Sequence, residues 1–75
     1  MDFVRLDRAD TVVTATRSLA LGTLVDGVAT TVSIPSGHKV ATAQMSVGDP
    51  VRKYAQLIGY ASQDIVPGDH VHTHN

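Results

Sequence analysis

The sequence predicts a single all-β domain, and three observations carry that prediction. Apolar and polar residues alternate at a spacing of two far more often than they recur at helical spacing. The chain is rich in β-branched runs such as TVVTATRSLA and GVATTVSIP, which suit a pleated, half-buried surface. Turn residues then interrupt it about every ten positions, at Gly22, Asp26-Gly27, Pro35-Ser36-Gly37, Gly48-Asp49-Pro50, Gly59 and Pro67-Gly68.

Each element follows in order. FVRLD places Phe3, Arg5 and Asp7 on one side and Val4 and Leu6 on the other, predicting a strand over 3–6. The β-branched runs predict strands over 12–19 and 29–34. HKVATAQM sets His38, Val40, Thr42 and Gln44 against Lys39, Ala41, Ala43 and Met45, a strand over 39–45. In PVRKYAQLIGYA, Pro50 is a permissible first helical residue, and Val51, Tyr54, Leu57 and Ile58 would line one helix face. Gly59 and the β-branched pattern that closes the segment favour two short strands around Gln56, the second over 58–61. The last strand is predicted over 70–74. No linker, low-complexity segment or internal repeat is apparent.

Seventy-five residues lie near the lower limit for a domain stabilised by an apolar core alone. Such a domain buries about 60% of its unfolded surface, so a partner chain, a second copy included, is a natural source of added stability. Cysteine is absent, which excludes disulfide staples and thiolate metal sites. Arg5, Asp7, Arg8 and Asp10 interrupt the apolar residues at the start, so no secretory leader is expected, and no apolar run approaches the roughly 18 residues of a membrane span. Six Lys and Arg face seven Asp and Glu without forming a block, and the aromatic residues are Phe3, Tyr54 and Tyr60. With neither a basic stripe nor a stacking platform, neither nucleic acid nor a membrane is expected as partner. The expected setting is the cytoplasm.

Two polar clusters stand out. In an extended DHVHTHN, His70, His72 and His74 share one face, starting roughly 7 Å apart, while Val71 and Thr73 share the other. Two imidazoles so spaced can converge on one ion at about 2.1 Å from each ring nitrogen. A third on the same straight strand falls short of it. Neutral imidazole suits zinc, iron and other borderline metals, and Asp69 faces away from His70, so a full shell needs ligands from elsewhere in the fold or another chain. A solvated strand end is the competing reading. In IPSGHKV, a glycine turn exposes backbone N–H groups beside Lys39, an arrangement that can hold a carboxylate or phosphate. From local chemistry alone, an ordinary hairpin turn with two solvated side chains is the favoured reading.

Read together, IPSGHKV, Gly48, Val51, Lys53-Tyr54, Ile58-Gly59, Ala61, Ile65, Gly68 and HVHTHN resemble the SAF domain of the altronate dehydratase (altronate hydrolase) family, which includes galactarate dehydratase and the sulfolactate sulfo-lyase alpha subunit. The likeness is close over 34–75 and general before that. One departure is Ala55, where the family usually has glycine. If that place needs a positive φ, alanine is strained there. The resemblance implies a β-clip fold over 1–75, an arrangement of folded-over β-ribbons. It also implies a small subunit or N-terminal domain of a hydro-lyase acting on a hydroxy-carboxylic sugar acid, with a large subunit carrying most of the catalytic apparatus. A divalent metal, iron or manganese, would be shared with that subunit. His72 and His74 are then the expected ligands, His70 the more structural member, and His38 and Lys39 the groups at the substrate carboxylate or in acid/base work. No acid/base constellation is complete within the chain, so no activity is expected of it in isolation. The alternatives are a noncatalytic binding or assembly module and the alpha subunit of a sulfolactate sulfo-lyase-like enzyme.

Overall fold

The computed structural model describes residues 2–5 and 7–72. The strands in chain order are β1 (Phe3–Val4), β2 (Val12–Ala15), β3 (Leu24–Val25), β4 (Val28–Ala29), β5 (Lys39–Ala41), β6 (Pro50–Lys53), β7 (Gln56–Tyr60) and β8 (His70–Val71). No helix occurs among the described residues, and none is long and apolar enough to cross a membrane. A four-stranded antiparallel sheet, in the order β1-β2-β5-β8, forms the centre. Two hairpins, β3–β4 and β6–β7, fold over it. This all-β build of folded ribbons is the predicted β-clip.

The strands are shorter than the alternation predicts. Of the runs 12–19 and 39–45, only Val12–Ala15 and Lys39–Ala41 are strand; Leu19 and Met45 make isolated bridges to Ile34 and Ile65. The run 29–34 ends as a strand at Ala29 and resumes only in the Ile34 bridge. β-Branched propensity extends on paper across places where the chain must leave the sheet for a hairpin and come back. The segment 50–60 is the hairpin of two strands, but its turn falls at Tyr54-Ala55, leaving Gln56 inside β7. The Asp26-Gly27 signal marks a hairpin of its own, β3–β4, which the longer predicted runs had hidden. The last strand covers His70–Val71; Leu6, Thr73, His74 and Asn75 lie outside the described residues.

The structure also corrects the expectation of no internal repeat. Leu19, Gly22 and Val25 have counterparts in Met45, Gly48 and Val51, each 26 positions on (19 to 45, 22 to 48, 25 to 51). Ile34, Gly37 and Val40 have counterparts in Ile65, Gly68 and Val71, 31 positions on (34 to 65, 37 to 68, 40 to 71). The hydrogen bonds match across the halves. Leu19 and Ile34 exchange backbone bonds as Met45 and Ile65 do, and the Gly22 and Gly37 amides donate to Thr30 and Ala15 as those of Gly48 and Gly68 do to Ala61 and Ala41. The changing offset reflects a longer hairpin in the second half, and it hides the repeat from a fixed-period search.

The core is divided into two clusters, and β2 contributes to both. Val13, Ala15, Leu19, Val25, Ile34 and Val40 form one cluster, with Phe3 packed against it. Val12, Ala41, Met45, Val51, Ala61, Ile65 and Val71 form the other. The register Val12↔Ala41 and Val13↔Val40 puts the two clusters on opposite faces of the central sheet. Both faces are therefore covered, and β2 reads as nearly continuous apolar sequence for that reason.

Candidate functional site

The site lies where β5 meets β8, the strand at the end of the sheet order. The register pairs Val40 with His70 and Lys39 with Val71. Side chains directly opposite share a face, so His70 stands on the Val40 side, and His38, two residues before Val40, stands there too. The turn Pro35–His38 fixes His38 from its own backbone: its amide donates to the Pro35 carbonyl at 3.1 Å, and its carbonyl accepts from the Ala15 amide at 2.9 Å.

Three imidazoles consequently meet. His38 Nδ1 lies 2.8 Å from His70 Nε2, a hydrogen bond in which one ring donates and the other accepts. The His38 ring stacks on His72 with centroids 4.0 Å apart and planes 13° from parallel. One ring nitrogen from each of His38, His70 and His72 lies within 4.8 Å of the others. Donors bound to one ion at about 2.1 Å each can be no more than about 4.2 Å apart, so the three nitrogens could hold one ion only after the stacked rings turn toward it. The donor chemistry fits a borderline divalent ion, with no carboxylate in the group.

The resemblance points to His72 and His74 as ligands and to His70 as the more structural member. The structure brings His70 and His72 together with His38 from the neighbouring strand, while His74 lies outside the described residues. His38 joins through the β5–β8 pairing across 32 positions, which short-range spacing cannot reveal.

Lys39 points the other way, with Val71, into a cleft of about 460 Å³ on the opposite face. His72 reaches the rim of this cleft as well as the imidazole stack, and so links the two faces. Val51, Ile58 and Val71 give the cleft an apolar lining; Lys39, Lys53, Tyr60 and Ser62 supply its polar groups. Burial, then the nearby Lys53 charge, pushes the Lys39 ammonium below the ordinary lysine range. Lys53 extends over the Tyr54 ring at 5.0 Å. Lys53 and Ser62 have no role in the sequence reading, although Lys53-Tyr54 is part of the pattern that carries the resemblance.

Lys53 and the cleft are placed by the β6–β7 turn. Tyr54 and Ala55 both adopt positive φ, 54° and 63°. The buried Asp10 carboxylate accepts their amides at 2.9 and 2.7 Å, clamping the turn from the far end of the chain. The positive φ that the missing glycine foreshadowed is thus real.

A β-clip with a histidine-lined sheet edge defines the class, an SAF-type domain. The whole chain, residues 1–75, matches the altronate/galactarate dehydratase SAF domain, and the chain belongs to that family. It is 32% identical over 77 residues to altronate dehydratase of Bacillus subtilis, aligning 97% of this chain with 16% of that protein. It is 39% identical over 79 residues to altronate dehydratase of Escherichia coli, aligning 100% of this chain with 16% of that protein. Over 42 residues it is 52% identical to the (2R)-sulfolactate sulfo-lyase subunit alpha of Paracoccus pantotrophus, covering 56% of this chain and 63% of that one. The chain thus spans about a sixth of the length of these altronate dehydratases.

Proposed function

We propose that the chain is the small subunit or N-terminal domain of an altronate dehydratase-like hydro-lyase. It supplies its histidine edge to a metal-dependent sugar-acid site shared with a large catalytic subunit. The observation that carries this reading is the convergence of His38, His70 and His72 at an open sheet edge, in a chain of this family. The three imidazoles are the metal-holding set, and His74 keeps a place among the ligands by the motif. His38 thereby moves from the carboxylate to the metal, leaving Lys39 for the carboxylate. The metal, iron or manganese, supplies Lewis acidity toward the enediolate when bound. The reaction is β-elimination: a base removes the proton beside the carboxylate, the electron pair forms the C–C double bond, and the β-hydroxyl leaves with a proton as water. The resulting enol tautomerises to a 2-keto acid.

A second reading is favoured by the 52% identity over 42 residues to the sulfo-lyase alpha subunit. There the same elimination expels sulfite in place of water. One experiment separates these. The chain, alone and with its large subunit, is assayed on aldonates, aldarates and sulfolactate, with metal content measured in parallel. Turnover of a sugar acid by the assembled pair alone, lost with its metal in His72→Ala, supports the hydro-lyase; sulfite release supports the second reading. Turnover by the isolated chain, or His72→Ala with normal turnover and metal, overturns the shared-site assignment.

A further inference from the structure

The chain has two lysines, Lys39 and Lys53, and the fold brings both to one cleft. They come from different strands, β5 and β6, and from the two halves of the repeat. Both line the cleft, and no carboxylate is among its described lining residues. The ion pairs among the described residues are Arg5–Asp26 and Arg17–Asp2, and neither touches the cleft. Two half-buried like charges repel, and among the described residues no acid lines the cleft to relieve that cost. A small anion entering the cleft would. The surroundings narrow the kind of anion: Val51, Ile58 and Val71 suit a short carbon chain, while the Ser62 and Tyr60 hydroxyls can meet hydroxyl groups on it.

We infer that this cleft is an anion subsite in which Lys53 joins Lys39 to hold the carboxylate of a small hydroxylated acid, with His72 at its rim. The inference rests on the hydroxy-acid reading above and deepens it by adding Lys53 as the second cation. The subsite lies on the opposite face of the sheet from the His38–His70 pair. His72 is the side chain placed to sense both a ligand in the cleft and the imidazole cluster.

The test uses the 75-residue chain itself, isotope-labelled, in low salt with a chelator and no large subunit. L-Tartrate is titrated while amide resonances are followed by NMR. Saturable shifts are expected at Gly59, Ser62 and Val71. Lys53→Gln should weaken binding about tenfold, and Lys53→Arg should restore most of it. Erythritol, an uncharged tetrol of the same carbon count, should produce no shifts, and inorganic phosphate should bind more weakly than tartrate. The spectra also report whether each variant is folded. Lys53→Gln titrating like the parent chain overturns the inference, as does erythritol or phosphate matching tartrate. Because the measurement needs neither metal nor elimination, its outcome is separable from that of the shared-site reading. Tartrate bound through both lysines with no turnover in the assembled enzyme would sink the latter alone.

Discussion

The two halves of the molecule use one backbone plan for different ends. His38 and Asp69 occupy equivalent places, each the last residue of a glycine turn entering a central strand, and each donates its amide back across that turn at 3.1 Å. Asp69 spends its side chain on structure. Its carboxylate accepts the Val66 amide at 3.0 Å and the Thr31 hydroxyl at 2.6 Å, closing its own turn and tying it to the first half. His38 reaches instead across the strand pair to His70 and His72. The repeat thus holds one copy of a position in the hydrogen bonds of its own turn and leaves the other to join a cluster of imidazoles.

The strongest way to break that comparison is at the glycines preceding these residues. Gly37 and Gly68 both have positive φ, 81° and 95°. A Cβ at Gly37 meets nothing within 4 Å, whereas one at Gly68 would collide with the Ala29 carbonyl oxygen. Gly37→Ala should cost about 1–2 kcal/mol, the price of the left-handed conformation. Gly68→Ala adds displacement of the Ala29–Thr30 backbone and should cost about 3 kcal/mol or more, a large part of the stability of so small a domain. Urea denaturation of the two variants measures the gap. Equal losses would mean that the Gly68 approach to Ala29 is not a real constraint.

A smaller effect sharpens the division between structure and chemistry. Asp69→Ala should lower stability by about 1–2 kcal/mol through loss of its charged hydrogen bonds, while leaving cobalt(II) binding by the imidazoles intact. His38→Ala should change metal-free stability by about 1 kcal/mol or less and weaken cobalt(II) binding about a hundredfold. Denaturation and visible absorption titration, run on both variants, separate the two roles. Cobalt affinity that falls equally in both would erase the distinction.

These residues also show what was legible from sequence and what was not. Alternation and turn residues reveal an all-β chain because period two and glycine placement are local properties. The HVHTHN and GHK motifs are local in the same sense, and the structure brings His38, His70 and His72 from them together. The triad itself is not local: His38 joins His70 only through the β5–β8 register, and alternation then sends Lys39 to the opposite face from its neighbour. Lys53 stayed unassigned because its relation to Lys39 depends on how the second hairpin folds over the sheet. The repeat escaped because its matched residues stand singly, three positions apart, between unlike neighbours, and their offset changes midway.

The smallest effect concerns the hairpin turns, where the halves again solve one problem differently. β3–β4 turns through Asp26 and Gly27, with φ of 50° and 81°; β6–β7 turns through Tyr54 and Ala55, also at positive φ. Glycine accepts that geometry freely, and alanine does so at a cost of about 1–2 kcal/mol. The second hairpin offsets the strain with the Asp10 carboxylate, which receives both turn amides. Ala55→Gly relieves strain in the folded chain but gives the unfolded chain more freedom, a loss of about 0.4–1 kcal/mol. The net expectation is a gain of about 0.5–1 kcal/mol, since the strain relieved exceeds the added entropy. In an Asp10→Ala background the same substitution should stabilise less, because a turn released from the clamp can relax and holds less strain to relieve. Thermal unfolding of the four chains in this cycle reads both quantities. A destabilising Ala55→Gly, or a gain that does not depend on Asp10, would show that the clamp and the strained turn are not a compensating pair.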